Sequence, residues 1–125
     1  MAQPIDVLIV DDSSAIRKIV ERMLRQTDLP IGSVYEAGDG LEALKVLNDK
    51  RVGLIFSDIN MPNMNGLDLL KQVRGNDGWK TIPTVMITTE GSQNSVMEAL
   101  DLGAAGYDRK PFTPAQIKDT VVGLF

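Results

Sequence analysis

The sequence contains neither cysteine nor histidine, and this double absence removes several kinds of chemistry. Without cysteine the chain has no disulfide, no thiolate metal site and no thiol nucleophile. Without histidine it has no serine–histidine triad, and most types of zinc site are excluded. Any chemistry must therefore use carboxylates, hydroxyls, amides, lysine or arginine.

An excess of positive charge and long apolar runs are also missing. The net charge of −4 argues against a nucleic-acid partner bound by phosphate neutralisation. No apolar run approaches the roughly 20 residues of a membrane-spanning helix. The N-terminal residues lack the basic segment and apolar stretch of a signal peptide. We therefore expect a cytoplasmic protein with no nucleic-acid or membrane partner, and 125 residues suit one domain.

Apolar runs that resemble buried strands alternate with segments of helical periodicity along the whole chain. The predicted strands cover residues 7–10, 33–36, 52–57, 84–88 and 105–108. The predicted helices follow each strand in turn, and the first is expected to end at Leu29-Pro30. This alternation predicts a three-layer, flavodoxin-like (βα)5 fold of the α/β class. Its five-stranded parallel sheet would have the order 2-1-3-4-5 and helices on both faces.

Polar side chains stand at the ends of four of the predicted strands. They are Asp11 and Asp12 after the first, Asp58 after the third, Thr88 at the end of the fourth and Lys110 after the fifth. The carboxyl ends of parallel strands meet at one edge of the sheet, where such folds bind ligands. Each residue alone would more often cap a helix or close a turn. Their convergence favours a shared site.

The residue types at this edge indicate phosphoryl chemistry. Three carboxylates in one crevice repel each other unless a cation or protons are bound. An oxygen-only set suits Mg²⁺, with Mn²⁺ as a substitute. Because Mg²⁺ binds through one or two carboxylates together with phosphate oxygens, the missing ligand would be a phosphoryl group. Lys110 would supply positive charge to that group and Thr88 a hydroxyl donor.

Four stretches of the sequence together resemble the response-regulator receiver domain. They are residues 10–13, 58–66, 87–90 and 103–112. The resemblance extends over essentially the whole chain, and it is strongest to the single-domain chemotaxis regulators of the CheY type. Asn65 departs from the pattern, because the family more often has aspartate there; we expect this position to touch no ligand.

The resemblance implies a role for each residue of the site. Asp58 would be the phosphoacceptor that receives a phosphoryl group from a histidine kinase. Lys110 would contact the phosphoryl oxygens, and Thr88 and Tyr107 would form a switch pair. The implied Mg²⁺ ligands are Asp12 directly, Asp11 through water, Asp58, and the main-chain carbonyl of Asn60.

The resemblance also implies how the protein acts. Residues 1–125 would be a stand-alone, monomeric receiver domain and a phosphoacceptor switch rather than an enzyme, with self-phosphorylation and self-dephosphorylation as its only chemistry. The phosphodonor would be a histidine kinase. The target, expected to be the flagellar motor switch in a chemotaxis pathway, would bind the face formed by the fourth helix, fifth strand and fifth helix. A phosphatase is a further expected partner.

The sequence is also compatible with other functions. The chain could be the receiver domain of a two-component or phosphorelay pathway outside chemotaxis. It could also be a small phosphatase with an aspartate nucleophile, but haloacid-dehalogenase-like enzymes carry Asp-x-Asp after the first strand, whereas Asp11 and Asp12 are adjacent. An interaction module that is never phosphorylated would not need the complete acidic set. The lack of a Gly-x4-Gly-Lys-Ser/Thr motif excludes a P-loop enzyme.

Overall fold

Five parallel strands form the centre of the protein. The computed structural model describes residues 4–88, 93–110 and 112–124, and at Thr88 and Gln93 it describes the main chain alone. The strands are β1 (Ile5–Val10), β2 (Ile31–Ala37), β3 (Leu54–Asp58), β4 (Thr84–Thr88) and β5 (Gly106–Arg109). Their order is β2-β1-β3-β4-β5, which confirms the predicted topology.

Five helices connect and cover the strands. They are α1 (Ser14–Arg25), α2 (Gly40–Asp49), α3 (Gly66–Arg74), α4 (Gln93–Asp101) and α5 (Pro114–Val122). The sheet buries side chains on both faces because β1 alternates between them. Val7 and Ile9 pack in the cluster that includes side chains of α1 and α5, whereas Leu8 and Val10 pack with α2 and α3. No helix in the described part of the chain is both long and apolar enough to span a bilayer.

Polar side chains cap the starts of the helices that lead away from the sheet edge. The Ser13 hydroxyl accepts a hydrogen bond from the Ile16 N–H, and the Asp39 carboxylate accepts one from the Glu42 N–H. Each cap satisfies an N–H group that has no partner within its helix. These caps fix where the loops after β1 and β2 end, and the first of these loops contains Asp11 and Asp12.

Most strand boundaries differ from the prediction by one or two residues, and the end of the first helix differs by more. The first helix ends at Arg25, before the expected Leu29, because the Thr27 hydroxyl donates to the Leu24 carbonyl at 2.6 Å and closes the last turn. The second strand runs from Ile31 to Ala37 rather than over 33–36, because its pairing with β1 already begins at Ile5.

Candidate functional site

The parallel register brings the acidic residues together at the carboxyl edge of the sheet. Val10 pairs with Ser57, so the next residues along the two strands, Asp11 and Asp58, are neighbours. The Asp11 N–H donates to the Ala37 carbonyl at 3.0 Å, which extends the sheet by one residue. Carboxylate oxygens of Asp11, Asp12 and Asp58 all lie within 4.8 Å of one another. The predicted acidic cluster is therefore present.

Lys110 contacts two of the three carboxylates. Its Nζ lies 2.9 Å from Asp11 Oδ2 and 3.4 Å from Asp58 Oδ2. Asp11 is fully buried and Asp58 is nearly so, whereas Asp12 is exposed. Three carboxylates facing one ammonium leave an excess of negative charge, which a divalent cation would neutralise. The donors are all oxygen atoms, so the set fits Mg²⁺ or Mn²⁺.

Burial and neighbouring charges act on the protonation of this cluster. Burial raises the pKa of Asp58 and the Asp11 charge adds to this, while Lys110 opposes the rise. Burial alone would lower the pKa of Lys110, but its hydrogen bond to Asp11 and the charge of Asp58 outweigh that effect, so the pKa is raised. Lys110 therefore stays cationic at neutral pH. A bound cation would lower the pKa of Asp58 and favour its nucleophilic, ionised form.

The loop between β3 and α3 folds back tightly over Asp58. The Gly66 N–H donates to the Ile59 carbonyl at 2.8 Å, and the Ile59 N–H donates to Asp58 Oδ1 at 2.8 Å. A Cβ atom at Gly66 would collide with the main-chain oxygen of Asp58. Only glycine fits this close approach without movement of the main chain. Asn60 lies in this loop, two residues after Asp58, and is exposed.

Asn65 has a structural role that the sequence alone did not reveal. Its side-chain oxygen accepts a hydrogen bond from the Asp68 N–H at 2.9 Å and caps α3. Asparagine and aspartate are about equally good N-caps, so either residue fits here.

The predicted switch residues, Thr88 and Tyr107, lie on β4 and β5. Thr88 is the last residue of β4 and pairs with Arg109, which places its main chain at the same sheet edge. Its side chain lies outside the described part of the structure. Tyr107 is 46% exposed on β5 and does not contribute to the cluster. The structure therefore brings Asp11, Asp12, Asp58 and Lys110 together, with Asn60 and Thr88 nearby in the fold.

Two contacts to Asp11 were not predicted. The Ser13 N–H donates to Asp11 Oδ1 at 2.9 Å, and Arg17 Nη1 donates to the Asp11 main-chain oxygen at 2.6 Å. The first could have been anticipated, because an aspartate side chain often accepts a bond from the N–H two residues later. The second depends on how α1 lies on the sheet and has no local signal.

Comparison with known proteins identifies the family and the fold. The sequence model of the response regulator receiver domain family matches residues 7–122. The chain belongs to this family. Chemotaxis protein CheY-3 of Vibrio cholerae is 42% identical over 119 residues, which cover 95% of this chain and 90% of CheY-3. Chemotaxis protein CheY of Pseudomonas aeruginosa is 39% identical over 119 residues, which cover 95% of this chain and 94% of that protein.

A solved receiver-domain structure supports the same conclusion. The chemotaxis response regulator CheY4 of Vibrio cholerae superimposes with a TM-score of 0.86 at 37% identity, covering 98% of this chain and 100% of that chain. Receiver domains are phosphoacceptor switches of two-component signalling and are generally not classed as enzymes. They bind Mg²⁺ at an acidic pocket. In this chain the structure places Asp11, Asp12 and Asp58 in an acidic cluster.

Proposed function

We propose that this protein is a stand-alone chemotaxis response regulator that accepts a phosphoryl group from a histidine kinase onto Asp58 in a Mg²⁺-dependent reaction. The observation that carries the proposal is the convergence of three carboxylates within 4.8 Å, with Lys110 against two of them. Phosphoryl transfer requires mainly alignment and neutralisation of charge, and these groups can supply both.

Asp58 is the proposed phosphoacceptor because the other two carboxylates are less suitable. Asp11 is fully buried, and its two oxygens already accept bonds from the Ser13 N–H and Lys110, each at 2.9 Å. Asp12 is exposed. Asp58 is held by the Ile59 N–H on Oδ1, and its Oδ2 has the longer, 3.4 Å contact with Lys110.

In the proposed step, an Asp58 carboxylate oxygen forms a bond to phosphorus while the bond between phosphorus and the donor imidazole nitrogen breaks. The electron pair of the broken bond stays with the imidazole, and the product is an aspartyl phosphate. Lys110 then contacts a phosphoryl oxygen in place of Asp58 Oδ2. Release of phosphate by water would reverse the modification, either unaided or with a phosphatase.

The proposed Mg²⁺ ligands are Asp12, Asp58, the Asn60 main-chain carbonyl and, through water, Asp11. When bound, the ion would neutralise charge on the transferring phosphoryl oxygens. Mn²⁺ would act as a substitute because its oxygen-ligand preference is similar.

Output is proposed to occur through the face of α4, β5 and α5. Thr88 and Tyr107 would link this face to Asp58, with the Thr88 hydroxyl bonding a phosphoryl oxygen and the Tyr107 ring turning inward. Large apolar side chains are exposed on these three elements: Met97 and Leu100 on α4, Tyr107 on β5 and Val122 on α5. Contiguous patches of exposed apolar groups mark protein-binding surfaces, and we propose that these four side chains form one. A flagellar motor switch protein is the proposed target, since the cited relatives are chemotaxis proteins.

The match spans 90% and 94% of the two chemotaxis relatives, so each of those proteins consists almost entirely of this domain. We propose that the unphosphorylated protein is a cytoplasmic monomer. A receiver outside chemotaxis is the second candidate, and it would use the same phosphoacceptor.

Acetyl phosphate and Mg²⁺, followed by intact-mass measurement, test the phosphoacceptor. The parent should gain one phosphoryl group, and this gain should be lost in Asp58→Ala and on chelation of the metal. No gain in the parent, or an equal gain in Asp58→Ala, would refute the assignment.

A pulldown with and without beryllofluoride, which mimics the phosphoryl group on Asp58, then tests the pathway. Capture of a flagellar switch protein only with beryllofluoride supports chemotaxis. Capture of a protein from a different signalling pathway supports the second candidate.

A further inference from the structure

We propose that Arg17 is a positioning residue for the metal site and that it acts by fixing the peptide bond between Asp11 and Asp12. This inference rests on the proposed function of the acidic cluster. Arg17 lies in the first turn of α1, and its Nη1 donates to the Asp11 main-chain oxygen at 2.6 Å. A charge-assisted hydrogen bond of this length is strong and directional.

The Arg17 guanidinium is itself held in place by Glu36 on β2. Arg17 Nε lies 2.9 Å from Glu36 Oε1, and Lys18 Nζ lies 2.8 Å from Glu36 Oε2. Hydrogen bonds from Lys18 and then Arg17, together with their charges, lower the pKa of Glu36. Glu36 is thus a carboxylate at neutral pH. Since it pairs in register with Ile9 of β1, it ties Arg17 to the sheet beside the acidic turn.

The planarity of the peptide bond converts this contact into control of Asp12. The Asp11 carbonyl oxygen shares a plane with the nitrogen and Cα atoms of Asp12. Asp11 is also held by its N–H, which donates to the Ala37 carbonyl at 3.0 Å. With both ends of Asp11 fixed, the direction in which Asp12 leaves the sheet is set. Asp12 is exposed, so the main chain is what orients its carboxylate towards Asp58.

Arg17 has two effects on a cation, and they have opposite signs. As a positive charge near the site it would repel Mg²⁺, so a neutral substitute would tighten binding. As a positioning residue it would favour binding, so the same substitute would weaken it. Because the charge of Arg17 is paired with Glu36 at 2.9 Å, its net field at the site is reduced. We therefore expect the positioning effect to dominate.

Four variants separate these effects when Mg²⁺ affinity is measured by calorimetry at constant ionic strength. Arg17→Gln removes the charge and the fork of donors. Arg17→Lys keeps the charge, but an ammonium cannot reproduce the planar fork that joins Glu36 to the Asp11 carbonyl. Glu36→Gln releases the guanidinium. Lys18→Gln is the matched control, because Lys18 contacts Glu36 but not Asp11, and its side chain is 63% exposed.

Loss of the positioning contact should weaken Mg²⁺ binding by about tenfold in Arg17→Gln, at the low end of measured effects of residues that orient metal ligands. Arg17→Lys and Glu36→Gln should also weaken binding, and Lys18→Gln should leave it unchanged. In the acetyl phosphate reaction, Arg17→Gln should raise the half-saturating Mg²⁺ concentration by a similar factor. The rate at saturating Mg²⁺ should be retained. General destabilisation would not raise the half-saturating concentration while leaving this rate unchanged.

Unchanged or tighter Mg²⁺ binding by Arg17→Gln would overturn the inference, as would equal weakening by Lys18→Gln. Should Arg17→Gln fail to fold in a thermal unfolding control, Arg17→Lys and Lys18→Gln decide the question alone. Equal affinities in these two variants and the parent would then overturn the inference. A parent that binds no Mg²⁺ would refute the proposed metal site itself. If instead the parent binds Mg²⁺ and the variants bind it equally well, only the role of Arg17 is refuted.

Discussion

Replacement of Asp108 by asparagine should stabilise the protein at neutral pH and have little effect in acid. Asp108 lies on β5 with only 7% of its surface exposed. Thr120 Oγ1 of α5 lies 2.9 Å from Asp108 Oδ1 and 3.0 Å from the Gln116 carbonyl oxygen. A hydroxyl carries one hydrogen, so both contacts are hydrogen bonds only when the carboxyl is protonated and donates to Thr120.

Burial raises the pKa of Asp108, and the hydrogen bond from Thr120 opposes this only in part. Between the ordinary aspartate pKa of about 3.9 and the raised value, the folded protein binds more protons here than the unfolded chain. The free energy of unfolding therefore falls as pH rises through this window. Above it, the parent buries a carboxylate with a single hydrogen bond.

Asparagine keeps the shape of the neutral carboxyl, and its amide can donate to Thr120 at every pH. We expect Asp108→Asn to gain on the order of 1–3 kcal/mol at neutral pH, the cost of an incompletely bonded buried group. For a domain of this size the unfolding temperature should rise by about 3 to 10 °C. The gain should shrink towards zero near about pH 4, where the parent carboxyl is itself protonated.

Thermal unfolding followed by circular dichroism across this pH range measures the effect. Asp119→Asn is the matched control, because it makes the same charge change at an exposed position of α5. Equal or lower stability of Asp108→Asn compared with Asp119→Asn at neutral pH would refute the proposed effect of the buried carboxyl. A gain that did not vary with pH would refute it as well.

Substitutions at two further positions test local contacts. Gly66→Ala would drive a Cβ atom into the Asp58 carbonyl. It should therefore lower the free energy of unfolding by about 1–3 kcal/mol and slow phosphorylation. A urea midpoint and a phosphorylation rate equal to those of the parent would contradict this. Asn65→Ala should lower the free energy of unfolding by about 1 kcal/mol because the cap of α3 is missing, while Asn65→Asp should retain parental stability. An equal shift of the urea midpoint in both variants would show that the cap contributes nothing.

The fold and the acidic cluster could be predicted because both follow from local patterns. Val7 to Val10 is entirely apolar, as expected for a strand covered on both faces, and all four side chains are fully buried. Once the strands are parallel, the groups that follow them must share one edge, so the proximity of Asp11 and Asp58 required no side-chain detail.

Other features depend on how elements pack and had no local signal. The Arg17 contact with Asp11 depends on the rotation of α1 and on Glu36 of a different strand. Asp108 resembles an ordinary polar strand residue in the sequence, and it is buried only because α5 packs against β5. The residue types alone do not decide the orientation of Arg17 or the protonation of Asp108. Both depend on the surrounding residues.

The most direct test of the proposed phosphoacceptor identifies which carboxylate carries the phosphoryl group. After reaction with acetyl phosphate and Mg²⁺, borohydride reduction converts an aspartyl phosphate to homoserine, and peptide mass spectrometry locates it. Homoserine should appear at position 58 and depend on Mg²⁺. Homoserine at Asp11 or Asp12 instead, or at no aspartate in a protein shown to be folded, would contradict the proposal.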